Sequence, residues 1–427
     1  MQALPIGRST LYLGLFIGLI ELSLGIIVGM VVGQRGAIAE TPIVTRLRET
    51  RDCAKCSLKD AKLKNAYLQS ANLSKADLSN SSLTNADLSN ANLQRTNLRN
   101  ADLQGANLLG ADLTGADLTG TRLKGARIDN TTILDPKWRT AWELLNTPAV
   151  VKDLSKMNLQ GVNLRQIDLK KAVLENVNLA KIDFSGSNLR GASFTKSNLQ
   201  NANFFMADLQ GANLQATSLQ NANFRQANLR NTQLGKALLN GASFQDTLLG
   251  EADLTGANLS GANLSFTDCQ GCIMTDAKLG GAIFAKTNLT GANLSGVNLT
   301  NLNLRRVIFT KAKLSDANMS RLNLSQLQFS CAEMMDTNLS GANLSGANLN
   351  GVNLSGANLQ NANLRGADLR NADLRNAKVQ GANLRDAKLD DADWGEVSSE
   401  PKKKSACNPE KSEPENKPPE NTGPPKT

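Results

Sequence analysis

Residues 340–374 read SGANLSGANLNGVNLSGANLQNANLRGADLRNADL, with leucine at 344, 349, 354, 359, 364, 369 and 374. A helix brings its apolar residues back every three or four positions and a flat strand every two. A period of five suits neither. It suits a wall that turns a corner every fifth residue and points one large side chain inward from each short side. The period runs outward from this stretch in both directions. From Leu58 it holds through Leu123, Ile128 and Ile133, giving 16 units, and from Leu154 to Trp394 it gives 49 more. Departures at the central position stay mostly apolar: Phe184, Phe204, Met274, Met319, Phe329 and Val379, with Cys269 the smallest. Two residues before it stands Ala, or sometimes Ser, Val, Thr or Ile. One before is Asn or Asp as a rule, and the two that follow are polar or Gly.

This word, A-(D/N)-(L/F)-x-x, resembles that of the pentapeptide-repeat family, and the resemblance covers 53–394 apart from one interruption. It implies an all-β fold: a right-handed quadrilateral parallel β-helix, a solenoid with one pentapeptide per side and roughly 20 residues per coil. Elementary packing agrees. Four central side chains meet around the axis of each coil, and the small residue two positions earlier fits where the wall turns in. Coils stack at ~4.8 Å, so the units make about 16 coils and a rod of ~75 Å.

Composition narrows the function. In 427 residues there is no histidine and only 4% aromatic residues. Without imidazole there is no Ser-His-Asp or Cys-His pair and no histidine metal ligand. A filled rod offers no cleft for convergent acid, base or nucleophile groups. The expectation is a protein that is not an enzyme and needs no cofactor or metal.

The ends differ from the repeats. After a short flank, 1–10, residues 11–33 carry a single charge, Glu21, and at 1.5 Å per residue span ~34 Å, enough for a single-pass transmembrane helix. A basic juxtamembrane linker, 34–52, follows with Arg35, Arg46, Arg48 and Arg51, which favours a cytoplasmic repeat domain at a plasma or thylakoid membrane. The alternative is a signal segment cleaved after Ala39, which would place a soluble rod in a periplasm or lumen. At the other end, 398–427 is rich in Pro, Lys and Glu without a large apolar residue and reads as a disordered tail.

Between the repeat blocks 53–134 and 154–397 the frame shifts by one, placed by the spacing between Ile133 and Leu154. The intervening 135–153 reads as a helical insertion. Asp135 is a suitable N-cap, Pro136 suits the first turn, and Trp138, Trp142 and Leu145 form one apolar stripe. That stripe is a candidate partner contact if it proves accessible.

The cysteines fall into repeat positions. Cys53 and Cys269 take central slots, and Cys56 and Cys272 take alanine slots. The two pairs lie about ten coils apart, ~48 Å, and cannot share a metal. Cys269 and Cys272 read as buried filler, whereas Cys53 and Cys56, at the start of the rod, are a candidate disulfide that needs an oxidising compartment. Among the outward residues, Arg165, Arg225, Arg305, Arg365 and Arg385 share one face, since every twentieth residue does. They form a candidate basic contact for an acidic partner, with Asp168, Asp208, Asp268 and Asp368 available to neutralise the next face. Some soluble members of the family imitate DNA to inhibit gyrase, but the basic repeats and apolar N-terminal segment depart from them. Sparse aromatics also argue against a nucleic-acid partner. The expected function is a membrane-anchored scaffold or protein-interaction surface.

Overall fold

The computed structural model describes residues 42–147, 153–155, 157–395 and 407. The apolar segment 11–33 and the possible cleavage point at Ala39 lie outside the described residues, as does the 398–427 tail except Cys407. Among the described residues no helix is long and apolar enough to cross a membrane.

Asn, Asp and their equivalents one residue before each central position pair in parallel with the residue 20 positions on, as in Asn72 with Asn92 and Asn343 with Asn363. These bridges follow one another every five residues, so each coil has four sides and the walls stack as a parallel β-helix. No continuous strand develops. Of five residues per side, four belong to the corner turn, from the central residue to the alanine slot, which leaves a single bridging residue on each wall. At the corner the alanine-slot N–H donates to the preceding central carbonyl, as Ala76 does to Leu73 O at 3.0 Å. The residue before it holds φ near +57°, as at Asn90 and Asn361. A positive φ at the third turn residue alone is the type II pattern, which Gly, Asn and Asp adopt most readily.

Each letter of the word therefore has a separate duty. The central leucines and phenylalanines are buried from Leu58 to Leu123 and from Leu154 to Leu374, and Leu384 and Leu389 in the last coil are half-buried. The residue before accepts, through Oδ1, a bond from the backbone N–H two positions on, as Asp77 does from Ser79 at 3.0 Å. Its amide also reaches the coil below: Asn203 Nδ2 donates to Asp183 Oδ1 at 2.9 Å and Asn223 Nδ2 to Asn203 Oδ1 at 2.9 Å. Such ladders hold stacked parallel walls in register. Where threonine replaces the small residue, its buried hydroxyl donates to a central carbonyl of the coil below, as Thr267 does to Phe244 O at 2.7 Å. One inward column holds stacked rings, with Phe204 and Phe224 centroids 4.9 Å apart and Phe224 and Phe244 5.0 Å apart.

Two corrections concern the ends of the first block. Part of the supposed linker is helix α1, Pro42–Thr50, whose Val44 and Leu47 are buried. They cover the apolar opening of the first coil, which no earlier coil would otherwise close. The frame shift also lies earlier than the spacing places it. Asp112 pairs with Ile133, so Ile133 stands in the outward slot, 55% exposed, and Leu134 packs against the core in its stead. The extra residue is absorbed at 129–132, where Asp129 Oδ1 accepts from the backbone N–H groups of Thr131 and Thr132, each at 3.0 Å.

Helix α2, Pro136–Asn146, follows, with Asp135 Oδ1 accepting from Lys137 N–H at 2.9 Å. It stands where the next turn of wall would be and uses the ladder groups left open below it. Trp142 Nε1 donates to Ala126 O at 2.6 Å, Asn146 Nδ2 to Leu123 O at 3.1 Å and Arg139 to Thr132 O at 2.7 Å. The ladder then resumes: Gly120 N–H donates to Gly161 O at 2.8 Å and Asn163 Nδ2 to Gly120 O at 3.1 Å. The two repeat blocks thus stack into one rod.

Candidate interaction faces

The inserted helix turns its stripe inward. Trp138, Ala141 and Leu144 are buried, with Trp138 only 5% exposed, while Trp142 and Leu145 are half-buried against the core. The condition for a docking stripe, accessible tryptophans, is not met by Trp138. A small recess of about 40 Å³ beside the helix is lined by Arg122, Lys124 and Arg165 among amides and leucines, and no carboxylate lines it. It lacks the paired groups that proton transfer needs.

The five arginines of the basic face do share one side, but they are not equivalent. Arg165 approaches Asp183 at 3.9 Å, and Arg365 and Arg385 flank Asp386 at 3.3 and 3.7 Å. No ion pair holds Arg225 or Arg305 among the described residues. On the neighbouring side Arg190 meets Asp208 at 3.3 Å and Arg370 meets Asp368 at 2.7 Å. Hydrogen bonding from Arg370 holds the Asp368 carboxyl below the ordinary carboxylate range. Charge segregation along the rod is thus partly cancelled, and on this face Arg225 and Arg305 remain uncancelled among the described residues.

The small slot on that side is where sequence reasoning fell short. Leu302 and Leu322 occupy positions that alanine takes in the flanking coils, and on the next side Leu327 stands between Val307 and Ala347. Their size was a legible signal, since the slot accepts Ala because a larger side chain crowds the wall. Beside them the bridge expected between Asn303 and Asn323 does not form.

All six cysteines are paired. Cys53–Cys56 and Cys269–Cys272 each join a central slot to the following alanine slot, with Cα separations of 5.2 and 5.3 Å. Every corner brings these two positions to a distance that suits a disulfide. Cys269 and Cys272 are therefore bonded as well as buried, which corrects their reading as plain filler. Cys331 joins Cys407, 76 residues on, and so ties the tail to the rod. Among the described residues no group of three or more Cys, Asp or Glu could hold a metal ion.

Comparison with known families agrees with this geometry. The model described as pentapeptide repeats (8 copies) matches overlapping windows from 56 to 130 and from 207 to 393, and a pentapeptide repeat region model matches 153–224. The chain belongs to the pentapeptide-repeat family. Membership brings with it the right-handed sense of the β-helix. Among solved structures the chain is similar to the pentapeptide repeat protein Rfr23 from the cyanobacterium Cyanothece 51142, at 36% identity. That match covers 26% of this chain and 88% of the other, with a TM-score of 0.24. It is also similar to HetL, a pentapeptide repeat protein involved in heterocyst differentiation regulation in Nostoc sp. strain PCC 7120, at 30% identity. Here the coverage is 58% and 93%, with a TM-score of 0.19. A pentapeptide repeat protein of the Arabidopsis thaliana thylakoid lumen is 31% identical over 30% of this chain and 68% of its own, with a TM-score of 0.13. No curated protein matches.

Proposed function

We propose that this protein is a non-enzymatic rod that serves as a scaffold or protein-interaction surface, held at a membrane by residues 11–33. The observation that carries the reading is the use made of each repeat letter. Central residues fill the interior, Asn and Asp side chains bond to the wall, and the rod presents long flat polar sides in place of a catalytic cleft. Such sides suit contact over area better than they suit chemistry on a small molecule.

A second reading, an exported rod freed by cleavage after Ala39, draws support from the complete pairing of the cysteines, because disulfides persist on the oxidising side of a membrane. Two measurements on protein from its own cells separate these readings. N-terminal sequencing gives Met1 or Gln2 for the anchored rod and Glu40 for the exported one. Maleimide mass-shift labelling before reduction gives no added mass if the rod lies on the oxidising side. Six added groups place it in a reducing compartment. Turnover of any substrate class by the intact rod sinks the non-enzymatic reading itself.

A further inference from the structure

Most walls of the rod are closed by three backbone rungs per side. Just above Leu322, Leu324 N–H donates to Asn343 O at 2.7 Å, Asn343 N–H to Leu322 O at 2.8 Å and Gln326 N–H to Ser345 O at 3.0 Å. Two coils below, the same side is closed by Leu264 N–H to Ile283 O at 2.8 Å, Ile283 N–H to Ala262 O at 2.9 Å and Phe266 N–H to Ala285 O at 3.0 Å. Between Leu302 and Ser325 the three equivalent rungs are missing. Leu304, Asn323 and Arg306 N–H, with the carbonyls of Asn323, Leu302 and Ser325, find no backbone partner among the described residues.

The cause is on the same side. Leu302 and Leu322 stack in a small-residue column that reads Ala262 and Ala282 below and Ala342 and Ala362 above. Leucine in a slot shaped for alanine overpacks the corner, and parting of the wall relieves that crowding. The wall between Lys278 and Asn298, with Ala277 and Val297 in its slots, is open as well, so crowding is one route to an open wall and not the only one. An open groove of about 530 Å³ results, with Arg305 and Arg306 at its lip. Among the described residues neither arginine makes an ion pair. From 262 to 266, and in the coils above through 366, this side carries Lys286, Arg305, Arg306 and Arg365 and no acid. Ile283, 43% exposed, pairs with Asn303 at the lower edge, and one coil further down Phe266, 52% exposed, lies under the Lys286 ammonium at 4.7 Å.

We propose that this groove is the docking site for an extended acidic segment of a partner protein, which takes up the open N–H and C=O groups as an added strand. Its carboxylates sit against the Arg305 and Arg306 guanidinium groups, and an apolar side chain covers Phe266 and Ile283. Main-chain bonds supply the affinity in this mode of recognition, and the flanking charges choose the partner. The proposal rests on the reading of the protein as an interaction rod and names where and what it binds. The wall between Lys278 and Asn298 also lacks its bridge and its rungs, but no arginine lines it, so the pairing of an open wall with unpaired guanidinium groups is local to Arg305 and Arg306 among the described residues.

The test is fluorescence anisotropy with the full chain and a labelled octapeptide alternating Glu and Val, against a twin alternating Lys and Val. The Glu peptide is expected to bind at least tenfold more tightly than the twin. R305E/R306E is expected to weaken it about tenfold or more. L302A/L322A restores the alanine column, so it is expected to close the wall, raise the unfolding temperature and abolish binding. No binding, equal binding of both peptides, or full binding by L302A/L322A overturns the proposal. Tenfold tighter binding after removal of 408–427 overturns it by making the chain's own tail the occupant. Phosphatidylglycerol vesicles captured through Arg305 and Arg306 in preference to the peptide overturn it by making the side a lipid contact. Circular dichroism and sedimentation on the same samples report the rod itself. A folded rod that ignores the peptide loses only this proposal, whereas a compact, non-rod profile removes the reading beneath it.

Discussion

A single asparagine or aspartate in the repeat answers two needs at once. Its Oδ1 closes the local turn, and in asparagine the amide donates to the coil below, so neither group is left without a partner as the coils stack. Aspartate gives up that donor and gains charge. Its hydrogen bonds favour the ionised form: the Ser79 hydroxyl lowers Asp77, Gln94 lowers Asp112 and Arg375 lowers Asp373 from 3.8. Asp129, bonded by the Thr131 hydroxyl first and then by Thr132, is lowered to about 2. With folded values below the unfolded one, the unfolded chain binds more protons in acid. Their contribution is fully present above pH ~4 and is lost as pH falls toward about 2. Thermal unfolding is therefore expected to be flat from pH 7 to 5 and to drop between pH 4 and 2. A melting temperature that holds constant across that lower window contradicts the assignment.

At the scale of elements, the rod is a stack whose ends and interruptions need separate treatment. Helix α1 covers the first coil with Val44 and Leu47, because a solenoid that simply begins leaves four apolar side chains in water. Helix α2 is a graft. Its axis does not continue the wall, so its side chains must take the place of ladder groups. Asn146 does this twice, donating to Leu123 O and accepting from Gly125 N–H. Asn146→Ala strands both and is expected to cost about 1–3 kcal/mol. Hydrogen exchange is expected to quicken at Gly125, with the coils above 207 unchanged. If protection is lost evenly along the rod, α2 is no local graft and the coils melt as one body.

Across the whole molecule, three disulfides act in different ways. Cys53, Cys269 and Cys272 are fully buried and Cys56 nearly so, and each of these bonds spans only one corner. Cys331 and Cys407 are half-buried and join the rod to its tail. Access governs the rate of thiol exchange. Mild reduction followed by iodoacetamide is expected to label Cys331 and Cys407 first, with the circular dichroism of the rod unchanged and the tail newly open to protease. Labelling of Cys269 and Cys272 at the same rate indicates coils that open far more freely than the ladder implies.

Much of this was legible in a string of letters, because the fold is local and repeated. A period of five with one apolar residue per word can be satisfied by a cornered, stacked wall, and Asp135–Pro136 announces a helix start through chemistry confined to a few residues. What only the tertiary structure decided depends on partners 20 or more residues away. Ile133 fits the five-residue count, yet its pairing with Asp112 sends it outward and seats Leu134 inside. Which arginines are neutralised is set by which acids the coil brings alongside. Cys331 meets Cys407 because the tail returns to the wall. The parted wall at Leu302 coincides with two leucines in successive coils, one above the other, a stacking that no single word reveals.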